Sequence, residues 1–174
     1  MRKNKKPSVF WFTGLPASGK TTVAKALCRA LKARGMEVEH LDGDTVRRIF
    51  PQTGFSRAQR NDHIRRAAYL ASRLQAHGIV VVASFISPFK ESREFARRLC
   101  KNFVEIYLDT PLEVCMRRDP KGLYRRARRG TVKHMTGIQQ TYEPPVRPQL
   151  RINTASIPVK QAVKEILDGF CRPR

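Results

Sequence analysis

Ser8-Val9-Phe10-Trp11-Phe12-Thr13-Gly14-Leu15-Pro16-Ala17-Ser18-Gly19-Lys20-Thr21 is the stretch from which the rest of the chain can be read. Ser8 to Thr13 reads as a buried strand, its middle, Val9 to Phe12, unbroken and apolar as in a strand covered on both faces. It runs into Gly14-x-x-x-x-Gly19-Lys20-Thr21, which fits the phosphate-loop pattern completely. Glycines let the backbone turn tightly and aim N–H groups at phosphate oxygens. The segment after the loop carries Val23, Ala26, Leu27, Ala30 and Leu31 at helical spacing, so a helix N-terminus adds its positive dipole. Lys20 can reach the outer phosphates of a nucleoside triphosphate, and the Thr21 hydroxyl can ligate Mg²⁺.

Outward from this unit, strands and helices alternate. Val38 to Leu41 predicts a short strand ending in Asp42-Gly43-Asp44. Ser56 with Gln59 forms a capping box that opens a long helix with Ile64, Ala67, Ala68, Ala71 and Leu74 on its apolar face. Ile79 to Ile86 and Phe103 to Leu108 read as buried strands. Glu91 to Cys100 reads as a helix, and another starts at Pro111. Leu150 to Asn153 reads as a last strand before a helix opened by Pro158. This alternation predicts a parallel sheet with helices on both faces, in one domain spanning 1–174. Residues 1–7 read as a basic, flexible tail. Residues 121–148 carry much Gly, Pro and Arg with weak periodicity, which predicts a lid and substrate loop.

Composition narrows the function classes. Thirty-five Lys and Arg against fourteen Asp and Glu give a net charge of +21, with the densest basic patch at Lys121 to Lys133. Aromatic residues make up only 8% and do not interleave with the basic ones, so anionic small substrates are favoured over nucleic acid. No apolar run approaches the length of a membrane span. Cys28, Cys100, Cys115 and Cys171 stand apart, without metal-ligand spacing, and read as reduced thiols. A cytoplasmic protein is expected.

Asp42, at the carboxyl end of the second strand, faces the crevice where open α/β sheets bind ligands. A carboxylate there can orient an acceptor hydroxyl, take its proton or hold a Mg²⁺ water. The competing reading is an N-cap aspartate in a turn.

The blocks Leu41-Asp42-Gly43-Asp44-Thr45-Val46-Arg47, Gly54-Phe55-Ser56, Ile64-Arg65-Arg66, Phe85-Ile86-Ser87-Pro88, Asp109 to Cys115, Arg118-Asp119-Pro120-Lys121-Gly122-Leu123-Tyr124, Thr136-Gly137-Ile138 and Tyr142-Glu143-Pro144-Pro145 resemble the adenylylsulfate kinase family in order and spacing. The likeness covers about residues 8 to 170. It implies a three-layer P-loop NTPase fold and transfer of the γ-phosphate of Mg-ATP to the 3′-hydroxyl of adenylyl sulfate (APS), giving PAPS and ADP. By resemblance, Asp42 lies near that hydroxyl and the metal, with Thr21 as the second metal ligand. Lys20 and Ser87 join Asp42 as catalytic groups, Ser87 matching a serine that is phosphorylated in some members. Gly14, Ala17, Ser18, Gly19, Lys20, Thr21, Thr22 and Arg118 are expected to bind ATP. The acceptor is expected to meet Asp42, Asp44, Arg47, Phe55, Arg60, His63, Ile86, Ser87, Lys121 and Met135. Arg47 and Arg60 would hold its phosphosulfate, while Phe55 would stack on its adenine.

Two residues depart from the family. His63 stands where Asn is usual, and it can donate a hydrogen bond and charge near neutral pH. Met135 replaces the Phe that forms the second face of the adenine sandwich, and a thioether can still cover a ring. A kinase for a related nucleotide conjugate, such as a cytidine diphosphate-like compound, is the alternative. A nucleotide-dependent nucleic-acid-binding or regulatory protein is the remote one. The expected assembly is a homodimer.

Overall fold

The computed structural model describes residues 8–50 and 54–171. The basic tail expected at residues 1–7 lies outside them. Among the described residues, five parallel strands form one sheet in the order β2-β3-β1-β4-β5. They are β1 (Val9–Gly14), β2 (Val38–Asp42), β3 (Val80–Ser84), β4 (Phe103–Leu108) and β5 (Leu150–Ile152). Among the described residues, seven helices accompany them: α1 (Lys20–Lys32), α2 (Gly43–Ile49), α3 (Arg57–Ala76), α4 (Lys90–Leu99), α5 (Leu112–Arg118), α6 (Leu123–Arg128) and α7 (Val159–Phe170).

The alternation of side chains along β1 and β3 builds two cores. Phe10, Phe12 and Val82 point to one face, where α1 and α7 cover them through Val23, Leu27, Leu31, Ala162 and Ile166. Val9, Trp11, Val81 and Ala83 point to the other, against Ile64, Ala67 and Ala71 of α3 and Ala96 of α4. Both faces of the central strands are therefore apolar, which is why no polar residue interrupts Val9 to Phe12. A third, smaller cluster of Cys115, Tyr124, Ala127 and Met135 sits under α5 and α6.

The sequence-predicted strands and long helices appear within a residue or two of their expected ends, and Ser56 with Gln59 makes both bonds of the capping box. Three expectations need correction. The turn read at Asp42-Gly43-Asp44 opens a further helix, α2, too short to show a period. The strand expected over Ile79 to Ile86 stops at Ser84. Phe85 stays apolar because it packs into the second core outside the sheet. Finally, 121–148 is not unbroken loop: Leu123–Arg128 is helical, anchored by the buried Tyr124 and Ala127.

Candidate active site

The carboxyl ends of β2 and β3 and the segments that follow β1 and β5 line one cleft of about 980 Å³. That is where an open parallel sheet places its ligand site. β1 delivers the phosphate loop. A Cβ at Gly14, where φ is +151°, would lie 2.8 Å from the Leu108 carbonyl oxygen, so only glycine fits beside β4. Gly19, at φ +93°, starts α1 with no side-chain cap, which leaves the first-turn N–H groups of α1 available to an anion. The Lys20 ammonium donates to the carbonyls of Gly14 (3.0 Å) and Leu15 (2.6 Å) and to Ser18 Oγ (3.3 Å). Burial lowers its pKa to about 8. Thr154, just past β5, braces the loop by donating to the Ser18 carbonyl at 2.9 Å. Arg118 donates to Thr154 through both terminal nitrogens, at 2.7 and 2.8 Å.

β2 delivers Asp42. One oxygen, Oδ1, accepts from the backbone N–H of Asp44 (3.1 Å) and Thr45 (3.4 Å), so the residue does cap α2. The other, Oδ2, accepts from the hydroxyls of Thr21 (3.0 Å) and Ser84 (3.1 Å). Burial pushes its pKa up, but hydrogen bonds from Thr21, Ser84 and the two backbone amides outweigh this and hold it below the usual range. The capping and functional readings of Asp42 are thus compatible, because each uses a different oxygen.

The other half of the cleft is cationic. Arg47 donates to the Gly54 carbonyl at 3.1 Å. Arg60 donates to the carbonyls of Phe55 (3.0 Å) and His134 (2.7 Å). Burial, with Arg47 nearby, lowers its pKa to about 10. Across the mouth, Lys121 pairs with Asp44.

Of the sequence-predicted residues, Ala17, Gly19, Lys20, Thr21, Thr22, Asp42, Asp44, Arg47, Arg60, His63, Ile86, Ser87, Arg118 and Lys121 line this one cleft. Gly14 and Ser18 lie buried behind it and shape the loop. Ser87 is only 1% exposed, and its hydroxyl accepts from the Trp11 indole N–H at 3.2 Å in the wall of the cleft. Three expectations change. His63 is 3% exposed, and burial together with Arg47 and Arg66 lowers its pKa to about 4; the ring is neutral near pH 7. Met135, 5% exposed, packs into the third cluster with Cys115 and Tyr124 and does not line the cleft. Phe55 is 49% exposed and lies outside the lining, with the Arg47 and Arg60 guanidinium carbons 4.8 and 5.4 Å from its ring centroid. The two faces of the expected base sandwich are therefore not brought together.

Sequence reading missed His40, Ser84 and Thr154. Ser84 and Thr154 sit at or just beyond the carboxyl ends of strands, a positional signal that was available. His40, inside a strand, gave none.

A family model for adenylylsulphate kinase matches residues 6–153. An adenylyl-sulfate kinase of Synechococcus sp. (strain JA-3-3Ab) is 45% identical over 159 residues, covering 91% of this chain and 88% of its own. The fold superposes with a TM-score of 0.92 on the Mycobacterium tuberculosis APS kinase CysC in complex with AMPPNP and APS. That protein is 38% identical, with 96% of this chain and 99% of that one covered. A hexameric APS kinase from Thiobacillus denitrificans matches at a TM-score of 0.71 and 29% identity, over 98% of this chain and 31% of that one.

Proposed function

Because the chain belongs to the adenylylsulphate kinase family, we propose that it transfers the γ-phosphate of ATP to the 3′-hydroxyl of APS, giving PAPS and ADP. The observation that carries this reading is the placing of Asp42 between a phosphate loop and a cationic half-cleft. Its Oδ2 is 3.0 Å from Thr21, the residue after Lys20, and Arg47 and Arg60 line the far side.

Phosphoryl transfer asks the protein mainly for alignment and charge stabilisation. The loop N–H groups and Lys20 bind the phosphates of ATP and stabilise the charge that spreads over the transferring group. Arg47 and Arg60 hold the phosphosulfate by planar guanidinium contacts. Asp42, kept ionised by four donors, orients the 3′-hydroxyl and receives its proton as the O–P bond forms. Thr21 and Asp42 offer two hard oxygens beside the loop, a donor set that fits Mg²⁺. When bound there, the ion would neutralise phosphate charge.

Residues 121–148 act as the lid over both nucleotides, and Phe55 meets the APS adenine when it closes. Hydrogen exchange with ADP and APS bound is expected to slow across this segment, whereas equal exchange with and without nucleotides would mean a fixed loop. We take the enzyme to be cytoplasmic, consistent with the buried, reduced thiols of Cys28, Cys100 and Cys115. We also take it to be a homodimer; adjacent exposed Tyr69 and Leu70 on α3 offer apolar surface for this.

The test of function is an acceptor screen with ATP, read by product mass and kcat/KM. APS is expected to be preferred over its cytidine counterpart. Efficient turnover of the cytidine compound with little on APS would overturn the acceptor while leaving the kinase reading intact.

A further inference from the structure

The strands β2 and β3 turn the same register of side chains toward α1. Val38, His40 and Asp42 pair with Val80, Val82 and Ser84. At one end of this face Val38, Val80 and Val82 join the first core. At the cleft end it becomes polar, with His40, Asp42 and Ser84 side by side.

Ser84 is buried and has a single hydroxyl proton. Its Oγ lies 3.1 Å from Asp42 Oδ2 and 3.0 Å from His40 Nε2. An ionised carboxylate can only accept, so the Ser84 proton goes to Asp42. The Ser84 oxygen must then accept from His40, which places the imidazole proton on Nε2. The result is a directed chain from His40 through Ser84 to Asp42. Thr21 supplies the second hydroxyl donor to the same oxygen.

We propose that His40 is a positioning residue for phosphoryl transfer: by donating to Ser84 it holds the Ser84 hydroxyl proton on Asp42 and fixes the plane of that carboxylate at the mouth of the phosphate loop. This rests on the reading of Asp42 given above. Without His40 the Ser84 hydroxyl still donates to Asp42 but is no longer held from its oxygen side, so the donor on the oxygen beside Thr21 is less firmly fixed. A carboxylate that wobbles still lets ATP bind. It aligns the acceptor hydroxyl less often, and that loss falls on the rate. A merely structural role for His40, packed between β2 and α1, would instead lower stability and leave turnover per folded enzyme unchanged.

The test uses His40→Leu, His40→Gln, Ser84→Ala and the double variant His40→Leu/Ser84→Ala. His40→Leu is expected to lower kcat about tenfold, the effect of one hydrogen bond, with KM for ATP within about twofold of wild type. His40→Gln retains an N–H donor and should recover most of the loss. The double variant should match Ser84→Ala, since no hydroxyl remains to be held. A second readout needs no turnover: ¹⁵N spectra of the histidine rings in the ligand-free protein should show His40 protonated on Nε2 and bare on Nδ1. A proton on Nδ1 would overturn the proposal. So would an unchanged kcat in His40→Leu, or losses that simply multiply in the double variant. The underlying reading is tested separately by Asp42→Asn. If that variant loses turnover while His40→Leu does not, only the role of His40 fails.

Discussion

At the scale of single residues, the proposed chemistry rests on Asp42 and Lys20. Asp42→Asn removes the charge but keeps a side chain able to cap α2, so the fold should survive. Kcat is expected to fall about 100-fold or more, with KM for ATP changed only slightly. Steady-state kinetics with both substrates checks this; a rise confined to KM for ATP would reduce Asp42 to a binding or capping group. Lys20 makes a prediction in pH. Its pKa of about 8, lowered by burial, means that a fraction of the free enzyme is uncharged at pH 8 to 9. The unfolded chain binds more protons than the folded one between pH 8 and 10.5, so this residue adds stability as pH rises through that window. A triphosphate beside the ammonium restores its charge. ATP binding at pH 8.5 should therefore take up a fraction of a proton, measured by calorimetry in buffers of different ionisation enthalpy. Lys20→Ala should abolish the uptake along with nearly all turnover.

Element-level order is held by a buried ionic strut. Arg93 on α4 donates to Glu105 of β4 at 3.1 Å and to the carbonyls of Ser87 (2.7 Å) and Glu143 (2.6 Å), while Arg97 takes the other Glu105 oxygen at 2.7 Å. Arg93→Met leaves Glu105 buried with one partner fewer and two carbonyls without their donor. A loss of about 3 kcal/mol in urea unfolding is expected, with a raised KM for the acceptor, because the strut fixes the 85–88 wall of the cleft. None of this was legible in the sequence, where Arg93 is one of many basic residues on a helix. Strands and long helices were legible because their burial repeats: Val9 to Phe12 is apolar on both faces, and Ile64 to Ala71 follows the turn of a helix. Short α2 and α6 complete too few turns to show a period. The phosphate loop and Asp42 were legible from local chemistry and strand-end position. Sequence could not show that Phe55 stands in solvent while Met135 is packed beneath α6, since both depend on how 121–148 folds back.

The whole molecule carries a charge of +21, and its exposed basic residues include Arg125, Arg126, Arg128 and Arg129, on α6 and its C-cap, just after the cleft-lining Leu123. Both substrates are anions, so long-range attraction should speed their encounter with the enzyme. Raising ionic strength from about 50 to 300 mM, which shortens the screening length from about 14 to about 6 Å, should lower kcat/KM several-fold and leave kcat within about twofold. Salt-sensitive oligonucleotide binding without a phosphorylated small product would instead support a nucleic-acid role. The covering of the first core by α7 has a consequence for biosynthesis. Phe10, Phe12, Val23 and Leu27 are translated well before Ala162, Val163, Ile166 and Leu167, which close over that face. A nascent chain on the ribosome therefore carries an open apolar surface while the residues between them are made, and is a natural client for a chaperone until α7 emerges.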